Sequence, residues 1–250
     1  MINFIVQARS GSSRLPNKIL LPFYNGKCIL ELLIEKLKQI KNAKVIIATS
    51  INPNCDRIEI VAKKSNAFCY RGSEEDVLQR FIDAAINFNA DSIIRVCSDN
   101  PFLDLSSIKQ LIDYVNMLED APDYVSFDIS GTPSIKTHYG FWTEYTNIQT
   151  LKKVKSLTDE KLFHEHVTNY IYSHPDFFNI KWINGPDCLA GHKNIRLTID
   201  TEEDFINAQI IYKELCSIDP YPTIDKIVTY LDCHQEYYLS MKKQITINSK

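Results

Sequence analysis

The stretch MINFIVQARSGSSRLPNKIL, residues 1–20, runs from an apolar segment directly into a polar loop with strong positive charge. Residues 2–8 carry mainly apolar side chains, which predicts a buried first strand. The loop that follows contains Arg9, Arg14 and Lys18 but no acidic residue. Because ligands of an open α/β sheet bind beyond the carboxyl ends of its strands, this loop is placed to bind an anion.

The next hundred residues alternate between short β-branched segments and amphipathic segments. Strands are predicted at residues 45–50, 67–71, 92–97 and 124–128, and helices at 27–41, 56–65 and 105–119. A further helix is predicted after Ser73, which would cap it, and its apolar stripe reaches Phe88. This alternation predicts a Rossmann-like α/β fold with a mostly parallel, doubly wound sheet.

The alternation then breaks. A polar segment at 130–138 precedes helical patterns near 146–155 and 163–173, a predicted strand at 178–182 and a Gly/Pro loop at 184–192. The strand pattern resumes at 195–199, and Thr201 with Asp204 forms a capping box for a following helix. We therefore expect one domain over residues 1–250 with a small α+β insert at about 129–190.

The composition excludes several classes of function. Of the 250 residues, 44% are hydrophobic and 24% charged, and the formal net charge is −3. Such a chain has no global attraction to nucleic acid, so an anion site must be a local cluster. No apolar run has the length of a membrane span, and the amino terminus lacks signal-peptide features, so we expect a cytoplasmic protein without a membrane partner. The seven scattered cysteines predict free thiols in a reducing compartment and no zinc site.

Acidic side chains follow two of the other predicted strands. Asp99 comes two residues after the strand at 92–97, and Asp200 directly follows the strand at 195–199. The carboxyl ends of parallel strands meet at one edge of a sheet, so we expect these carboxylates and the basic loop to converge on one cleft. Cations and carboxylates together suit a nucleoside triphosphate with a divalent ion between phosphate and aspartate oxygens.

The basic loop matches neither of the two common glycine-rich phosphate loops. The sequence contains no G-x-x-x-x-G-K-[ST] and no G-x-G, which argues against a P-loop and against a dinucleotide site. Backbone N–H groups around residues 11–13 are instead expected to form an anion nest, with the three basic side chains supplying charge. A solvated basic loop is the alternative that the charge alone leaves open.

Six motifs, in order along the chain, resemble the sugar cytidylyltransferases. QARSGSSRLPNKIL (7–20) resembles the pattern Q-A-R-x-x-S-[ST]-R-L-P-x-K-x-L of that family. The other matches are RGSEEDVLQRF (71–81), RVCSDNPFLD (95–104), the G-x-x-x-E of residues 140–144, EHVTNYI (165–171) and RLTIDTEEDF (196–205). The motifs are closest to the SpsF-like branch, named for spore-coat polysaccharide synthesis, and the CMP-KDO and CMP-acylneuraminate synthetases are relatives.

The resemblance implies a CTP-dependent enzyme of the nucleotide-diphospho-sugar transferase type. Such enzymes transfer CMP from CTP to an acceptor oxygen and release pyrophosphate with Mg²⁺, and a homodimer would form through the insert. The implied nucleotide-binding residues are Ala8, Arg9, Gly11, Ser12, Ser13, Arg14, Lys18, Arg71, Arg80 and Asp99. The implied catalytic residues are Lys18, Arg9, Asp99 and Asp200, of which the two aspartates would bind the metal. The acceptor would lie near Tyr139, Glu144, His166 and Arg196.

The chain departs from the family pattern in three places. Asn17 stands where the family often has Gly, Cys97-Ser98-Asp99 replaces a triplet such as Thr-Gly-Asp, and His138-Tyr139-Gly140 replaces a proline-glycine turn. The third departure falls where the acceptor is expected, so two anionic acceptor classes remain open. One is an acidic sugar such as a legionaminic-type nonulosonate, and the other is a phosphorylated or phosphonate-bearing small molecule. A non-catalytic nucleotide-binding protein of the same fold is the third alternative.

Overall fold

The computed structural model describes residues 2–248 and is organised around one mixed sheet. Its strands are β1 (Ile2–Gln7), β2 (Pro22–Tyr24), β3 (Lys27–Cys28), β4 (Val45–Ser50), β5 (Phe68–Gly72), β6 (Ser92–Cys97), β7 (Tyr124–Ile129), β8 (Thr132–Pro133), β9 (Glu144–Asn147) and β10 (Ile180–Asn184). Its α-helices are α1 (Ile29–Leu37), α2 (Asp56–Lys64), α3 (Val77–Asn87), α4 (Leu105–Met117), α5 (Ile148–Leu157), α6 (Lys161–Glu165), α7 (Asn169–Ser173), α8 (Glu202–Cys216), α9 (Ile224–Cys233) and α10 (Gln235–Ile247).

Within residues 2–248 the main sheet contains eight strands in the order β10-β7-β9-β6-β1-β4-β5, and the short β8 pairs with β7. The pairs β6–β1, β1–β4, β4–β5 and β7–β10 are parallel, whereas β9 runs antiparallel between β6 and β7. The mostly parallel sheet predicted from the sequence is confirmed. The parallel centre brings the carboxyl ends of β1, β4 and β6 to one edge, where ligands of such sheets bind.

The central strands are buried on both faces, so alternate side chains enter two separate core layers. Phe4 and Val6 of β1 pack into one layer, and Ile5 packs into the other. The first layer also receives α1, α4 and α8, and the second receives α3 and α5. Burial on both faces explains why these strands appear in the sequence as continuous apolar runs without a polar alternation.

Side-chain caps set where two of the helices begin. The predicted capping box of α8 is present, because Thr201 Oγ1 accepts from Asp204 N at 3.1 Å and Asp204 Oδ2 accepts from Thr201 N at 2.9 Å. The prediction of Ser73 as the cap of α3 is wrong. Asp76 caps that helix by accepting from Gln79 N at 2.8 Å, while Ser73 Oγ accepts from Asp76 N one turn earlier. Asp76 directly precedes the apolar stripe and therefore takes the cap position.

The predicted strand at 195–199 is also wrong. This segment crosses the core in an extended path, and its alternating Ile195, Leu197 and Ile199 are buried, which produces the strand-like pattern. Its N–H groups, however, bond to loop carbonyls and to the Met241 side chain of α10, and not to a strand. Leu197 N and Thr198 N both donate to the His138 carbonyl, at 2.9 and 3.2 Å.

The segment at about 129–190, predicted as an insert, contributes β9 and β10 to the main sheet itself. The helix predicted near 146–155 begins two residues later than expected, because β9 occupies the residues just before it. The helix predicted at 163–173 is divided into α6 and α7. None of the helices described within residues 2–248 is long and apolar enough to cross a bilayer.

Candidate active site

A cavity of about 800 Å³ opens at the carboxyl ends of β1 and β6. Its wall combines the loop after β1, the loop after β6, the segment before β9, and the helices α6 and α7. The predicted site residues on this wall are Arg9, Gly11, Ser12, Ser13, Arg14, Lys18, Asp99, Glu144, His166 and Asp200. The structure thus brings the basic loop and both aspartates to one cavity.

The ammonium group of Lys18 lies between the two predicted metal ligands. Its Nζ is 2.9 Å from Asp99 Oδ2 and 3.4 Å from Asp200 Oδ1, and it donates to the Ile199 carbonyl at 2.5 Å. The Lys18 side chain is 12% exposed, so these ion pairs are partly shielded from water and attract more strongly than a surface pair. Lys18 and the two carboxylates therefore form one compact electrostatic unit.

Arginines hold Asp200 from two further directions. Arg14 Nη2, on the basic loop, lies 3.0 Å from Asp200 Oδ1. Arg196 Nη2, on the core side, donates to Asp200 Oδ2 at 2.9 Å. The backbone N–H of Asp200 donates to Asp204 Oδ2 at 3.0 Å, which ties it to the first turn of α8. Both carboxylate oxygens and the backbone of Asp200 are therefore fixed.

The oxygen atoms of Asp99 and Asp200 suit a hard divalent cation. Mg²⁺ in proteins usually takes one or two carboxylates together with phosphate oxygens of its substrate. The two carboxylates lie on separate segments, and both approach the Lys18 ammonium from the cavity wall. These residues fit Mg²⁺ that is bound jointly with a triphosphate.

The basic loop owes its shape to the Ser10 carbonyl, which accepts from Ser12 N at 2.9 Å and from Asn17 N at 3.2 Å. Asn17 has a φ of +57°, in the left-handed region that glycine and asparagine adopt most readily. This backbone conformation explains why Asn is accepted where the resembling family often has Gly. The turn places Lys18 at the start of a short 3₁₀ helix whose next two residues are buried and anchor it.

A buried lysine that sequence reasoning missed supports the acidic loop after β6. Lys36 of α1 donates to the carbonyls of Pro101 and Leu103, both at 2.9 Å. Burial lowers the pKa of Lys36 to about 8. Its position three residues after Leu33, on the apolar side of α1, is the sequence signal that would have identified it as buried.

Glu144 lies on the cavity wall but is already engaged by its neighbours. It forms a buried salt bridge with Arg95, and its Oε1 accepts from Tyr124 Oη at 2.5 Å and from Thr168 Oγ1 at 2.9 Å. Arg95 also donates to Gln7 Oε1 at 2.9 Å. Burial and the Glu144 carboxylate raise the pKa of Tyr124, which keeps its phenol protonated as a donor. This network fixes the Glu144 side chain in the cavity wall.

His164, in α6, and His166, directly after the helix, have different surroundings. His164 Nδ1 lies 3.0 Å from Asp76 Oδ2, which attaches α6 to the cap of α3. His166 lines the cavity. At the mouth of the cavity, Arg9 Nη2 lies 3.3 Å from Glu165 Oε1 in an exposed pair, which contributes little stability but joins α6 to the basic loop.

Cys97, which replaces a hydroxyl residue of the family pattern, also lines the cavity. Burial raises the pKa of its thiol to about 11. At neutral pH the group is therefore a protonated thiol and not a nucleophilic thiolate.

Within residues 2–248, the predicted site residues that do not line the cavity are Ala8, Arg71, Arg80, Tyr139 and Arg196. Arg71 is instead paired with Asp56 at 2.7 Å and with Glu59 at 3.0 Å, on the outer side of β5. Tyr139 packs into an aromatic cluster, with its ring edge-on to Trp142 at 5.8 Å. The sequence could not separate these residues from the site, because they lie within the matched motifs or, like Tyr139, directly beside one.

Ala8 and Arg80 are almost completely buried. The Ala8 methyl group belongs to the core at the end of β1. Arg80 is 1% exposed and donates from Nη1 to the Ser73 carbonyl, but its Nε and Nη2 have no hydrogen-bond partner among residues 2–248. Burial, assisted by the charge of the neighbouring Arg9, lowers the pKa of Arg80. A buried guanidinium with unused donors is costly unless a further polar partner completes it.

Arg196, near which the resemblance implies the acceptor, does not line the cavity. Its side chain is 0% exposed, and it donates to Asp204 from Nε and Nη2 and to His138 Nδ1 from Nη1 at 2.8 Å. With its contact to Asp200, the guanidinium is engaged on all sides and lies behind the cavity wall. Because a guanidinium only donates, His138 Nδ1 must accept, and the imidazole carries its proton on Nε2.

The carboxyl-terminal helix α10, which no motif marked, backs the site. Met241 Sδ accepts from Arg196 N at 3.3 Å, and Gln244 Nε2 donates to Glu203 Oε2 in α8 at 2.5 Å. Asn248 Oδ1, just beyond the helix, accepts from Arg14 Nη1 at 2.8 Å. These contacts are between residues far apart in sequence, so no local pattern signals them.

A family model and known proteins match most of this chain. The family model described as Cytidylyltransferase matches residues 3–246. The uncharacterized protein MJ1063 of Methanocaldococcus jannaschii is 36% identical over 231 residues, which cover 91% of this chain and 89% of the relative. The spore coat polysaccharide biosynthesis protein SpsF of Bacillus subtilis is 31% identical over 221 residues, which cover 85% of this chain and 87% of the relative.

A solved structure has the same fold. The cytidylyltransferase of Leptospira borgpetersenii superposes with a TM-score of 0.83 at 26% identity, over 94% of this chain and 95% of that one. The family match spans nearly the whole chain, and the matched length includes every motif and, apart from Ile2 of β1, all the strands described here. The chain therefore belongs to the cytidylyltransferase family of CTP-dependent nucleotidyltransferases.

Proposed function

We propose that the protein transfers CMP from CTP to an acidic sugar, such as a legionaminic-type nonulosonate, for the synthesis of a surface polysaccharide or glycan. The observation that carries the proposal is the convergence of Lys18, Asp99 and Asp200 at one part of a cavity that extends past them. This arrangement supplies cations for a triphosphate, carboxylates for a metal, and adjoining space for a second substrate.

The reaction in this proposal is an in-line displacement at the α-phosphorus. An acceptor oxygen forms a bond to the α-phosphorus, the bond to the bridging oxygen of the β-phosphate breaks, and pyrophosphate leaves. The acceptor proton passes to solvent. Such chemistry needs mainly alignment of the two substrates and neutralisation of negative charge.

The chain's own side chains divide these tasks. Lys18 and Arg14 bind triphosphate oxygens and offset the charge that develops on them, and Arg9 adds a third cation at the mouth of the cavity. Asp99 and Asp200 hold Mg²⁺, which supplies charge neutralisation at the phosphate oxygens when it is bound. Ser12 and Ser13, with the backbone of Gly11, line the same part of the wall.

The nucleoside end of CTP is proposed to approach Arg80. The unused Nε and Nη2 donors of this buried arginine support the assignment, because a polar ligand atom would complete them. Arg71 is proposed to act indirectly, since its bonds to the carbonyls of Ser50 and Asn52, at 3.1 and 3.0 Å, shape the loop after β4.

An anionic acceptor is supported by the charges on the rest of the wall. Lys136 lines the cavity there, and the Glu144 carboxylate is already neutralised by Arg95 and so does not repel an anion. His166 and His138 add imidazole groups. A sugar is favoured over other anions because the relative from Bacillus subtilis is named for spore coat polysaccharide biosynthesis.

Pyrophosphate release tests the proposal. The purified protein is incubated with CTP, Mg²⁺ and a panel of eight- and nine-carbon acidic sugars, sugar phosphates and phosphonates. We expect turnover with an acidic sugar and a CMP-sugar product. Turnover only with a phosphorylated or phosphonate acceptor would show that this class, and not an acidic sugar, is the acceptor. CTP binding without any turnover would favour a non-catalytic nucleotide-binding protein.

A matched pair of variants connects any turnover to the proposed site. Asp99→Asn is expected to lower kcat by about 10²–10³-fold, the usual effect of removing one preorganised electrostatic group. Asp113→Asn, at an exposed position on α4, removes the same charge far from the cavity and should leave kcat unchanged.

We also propose a homodimer that forms through residues 129–190. Leu157 and Phe177 are 45% and 60% exposed, and Lys153 of α5 donates from Nζ to the Phe177 carbonyl at 2.6 Å, which attaches the segment of Phe177 to the helix that carries Leu157. Light scattering on the wild type and on Phe177→Ser would measure the mass. A monomeric wild type would contradict the proposal.

A further inference from the structure

The cations and carboxylates of the proposed site neutralise one another. Lys18 contacts both Asp99 and Asp200, and Arg14 contacts Asp200 from the basic loop. The same two basic residues are proposed to bind the triphosphate, and the same two aspartates are proposed to bind the metal. Every proposed ligand interaction of these four side chains therefore competes with a pair that already exists.

A cation shared by the two aspartates has to displace the ammonium group. Lys18 Nζ lies 2.9 Å from Asp99 Oδ2 and 3.4 Å from Asp200 Oδ1, in the space from which both oxygens can be reached. If Lys18 and Arg14 stayed in place, a dication there would be repelled by both of them. The repulsion is strong because the Lys18 side chain is largely shielded from water.

A triphosphate reverses this balance. Its oxygens offer Lys18 and Arg14 new partners of higher negative charge, at the part of the wall where the two side chains already lie. As these cations turn to phosphate, Asp99 loses Lys18 and Asp200 keeps Arg196, so the oxygens that faced Lys18 and Arg14 become available to a divalent ion. Arg196 does not take part in the exchange, because its side chain is 0% exposed and is held by Asp204.

We propose that Lys18 is an exchangeable internal counter-ion, which keeps Asp99 and Asp200 closed to divalent cations until a triphosphate draws it away. The proposal rests on the proposed function, because it takes these aspartates as the metal ligands. Its consequence is that metal and nucleotide depend on each other for binding. The coupling is reciprocal, so each ligand increases affinity for the other by the same factor.

The experiment measures Mn²⁺ binding to the nucleotide-free protein, with free Mn²⁺ followed by electron paramagnetic resonance. This readout needs no acceptor and no turnover, and it avoids the Mn²⁺–CTP complex that forms in solution. We expect weak binding by the wild type and at least tenfold tighter binding by Lys18→Met. The gain should disappear in Lys18→Met/Asp99→Asn, which removes a carboxylate together with the lysine.

A control variant removes the same charge elsewhere. Lys27→Met breaks an exposed pair with Glu35, whose oxygen lies 2.7 Å from Lys27 Nζ, and should leave Mn²⁺ affinity unchanged. If Lys18→Met does not fold, Arg14→Gln serves instead. Among the described residues, Arg14 contacts Asp200 but not Asp99, and its side chain is 42% exposed. We therefore expect a smaller gain in Mn²⁺ affinity, of about threefold.

CTP binding by the wild type is measured in parallel and separates the two claims. If CTP binds and Mn²⁺ affinity is the same in the wild type and Lys18→Met, the counter-ion proposal is overturned while the proposed function stands. If CTP does not bind to the wild type, the proposed function itself fails. A gain in Lys18→Met that survives in the double variant also overturns the counter-ion role, because the metal is then bound elsewhere.

Discussion

Arg196 donates to Asp200 Oδ2 at 2.9 Å while two further hydrogen bonds, at 2.8 and 2.9 Å, fix the same guanidinium to Asp204. Burial acts to lower the pKa of Arg196, but its bonds to the Asp204 and Asp200 carboxylates outweigh this effect, and the net pKa is raised. The arginine is therefore permanently charged and orients Asp200 from the core side. This positioning of Asp200 explains the place of Arg196 in the RLTID motif.

Replacement of Arg196 should weaken Mg²⁺ binding more than CTP binding. A lysine at this position cannot form the two-point bond to Asp204 and also reach Asp200 and His138. We expect Arg196→Lys to raise the Mg²⁺ concentration needed for half-maximal activity, and Arg196→Met to lose about 3–5 kcal/mol of unfolding free energy, as for other broken buried pairs. Measurements are kcat against Mg²⁺ concentration and urea unfolding.

The control for this pair is Arg57→Lys, at an exposed position on α2. It should match the wild type in both measurements. An Arg196→Lys enzyme with an unaltered Mg²⁺ dependence would remove the positioning role from Arg196.

Gly140 controls the path of the chain that leads to Asp200. Its φ is +72°, and an added Cβ would lie 3.2 Å from the backbone C of Leu197 and the backbone N of Thr198. Gly140→Ala should therefore cost more than the 1–2 kcal/mol of a left-handed alanine, and it should also weaken CTP binding by shifting the segment before Asp200. Urea unfolding and calorimetric CTP titration measure the two effects.

Gly131 provides a matched control for backbone strain. It has a φ of +85°, but an added Cβ would meet nothing within 4 Å. Gly131→Ala should show the strain cost alone and normal CTP affinity. Equal effects of the two substitutions would mean that the close approach at Gly140 is unimportant.

The fold was largely predictable because its strongest signals are local. Strands buried on both faces, such as β1 and β4, appear as continuous apolar runs, and the α8 capping box depends on Thr201 and Asp204 alone. The predicted strand at 195–199 failed because burial, and not strand pairing, produces its alternating pattern. The antiparallel β9 was missed because its four residues directly precede the apolar stripe of α5.

The site was predictable only as far as its motifs name residues. The basic loop, Asp99 and Asp200 form a charge pattern at the ends of predicted strands, whereas partners that act through tertiary contacts give no such signal. Lys36 reaches loop carbonyls 65 and 67 residues away, and Asn248 reaches Arg14 across 234 residues. Arg196 belongs to a motif, but sequence could not show which way its side chain points.

Lys36 should make the stability of the protein depend on pH. Its pKa is about 8 in the folded state, lowered by burial from an ordinary value of 10.5. Between these two pH values the unfolded chain binds more protons than the folded one, so the free energy of unfolding rises with pH. At about 1.4 kcal/mol per pKa unit, the rise over this window is on the order of 3 kcal/mol.

The comparison of wild type with Lys36→Met isolates this contribution. Lys36→Met should lack the rise of unfolding free energy with pH. It also leaves the carbonyls of Pro101 and Leu103 without their donor, so it should bind CTP less tightly. Urea unfolding at pH 7, 8, 9 and 10 gives the two profiles, and Lys41→Met, at an exposed position, should follow the wild type. Parallel profiles for wild type and Lys36→Met would contradict a depressed pKa for Lys36.

Asn17 should tolerate glycine but not alanine. Glycine adopts a φ of +57° without strain, whereas alanine at this position should cost about 1 kcal/mol and displace the neighbouring Lys18. We expect Asn17→Gly to keep near-normal CTP affinity and Asn17→Ala to lose several-fold, by calorimetric titration. Asn42→Ala introduces the same strain, at a φ of +61°, away from the cavity and should change stability without changing CTP affinity. Loss of CTP affinity in Asn42→Ala would show that backbone strain, and not displacement of Lys18, lowers CTP affinity in Asn17→Ala.

The most direct test of the site is the thermal stability of the protein with each of the four nucleoside triphosphates and Mg²⁺. A ligand at 100 times its Kd stabilises the folded state by about 2.7 kcal/mol, so CTP should raise the Tm by a readily measured amount. We expect a larger rise in Tm with CTP than with UTP, GTP or ATP, and loss of that rise in Lys18→Met. No rise with CTP, or an equal rise in Lys18→Met, would contradict the assignment of this cavity as the CTP site.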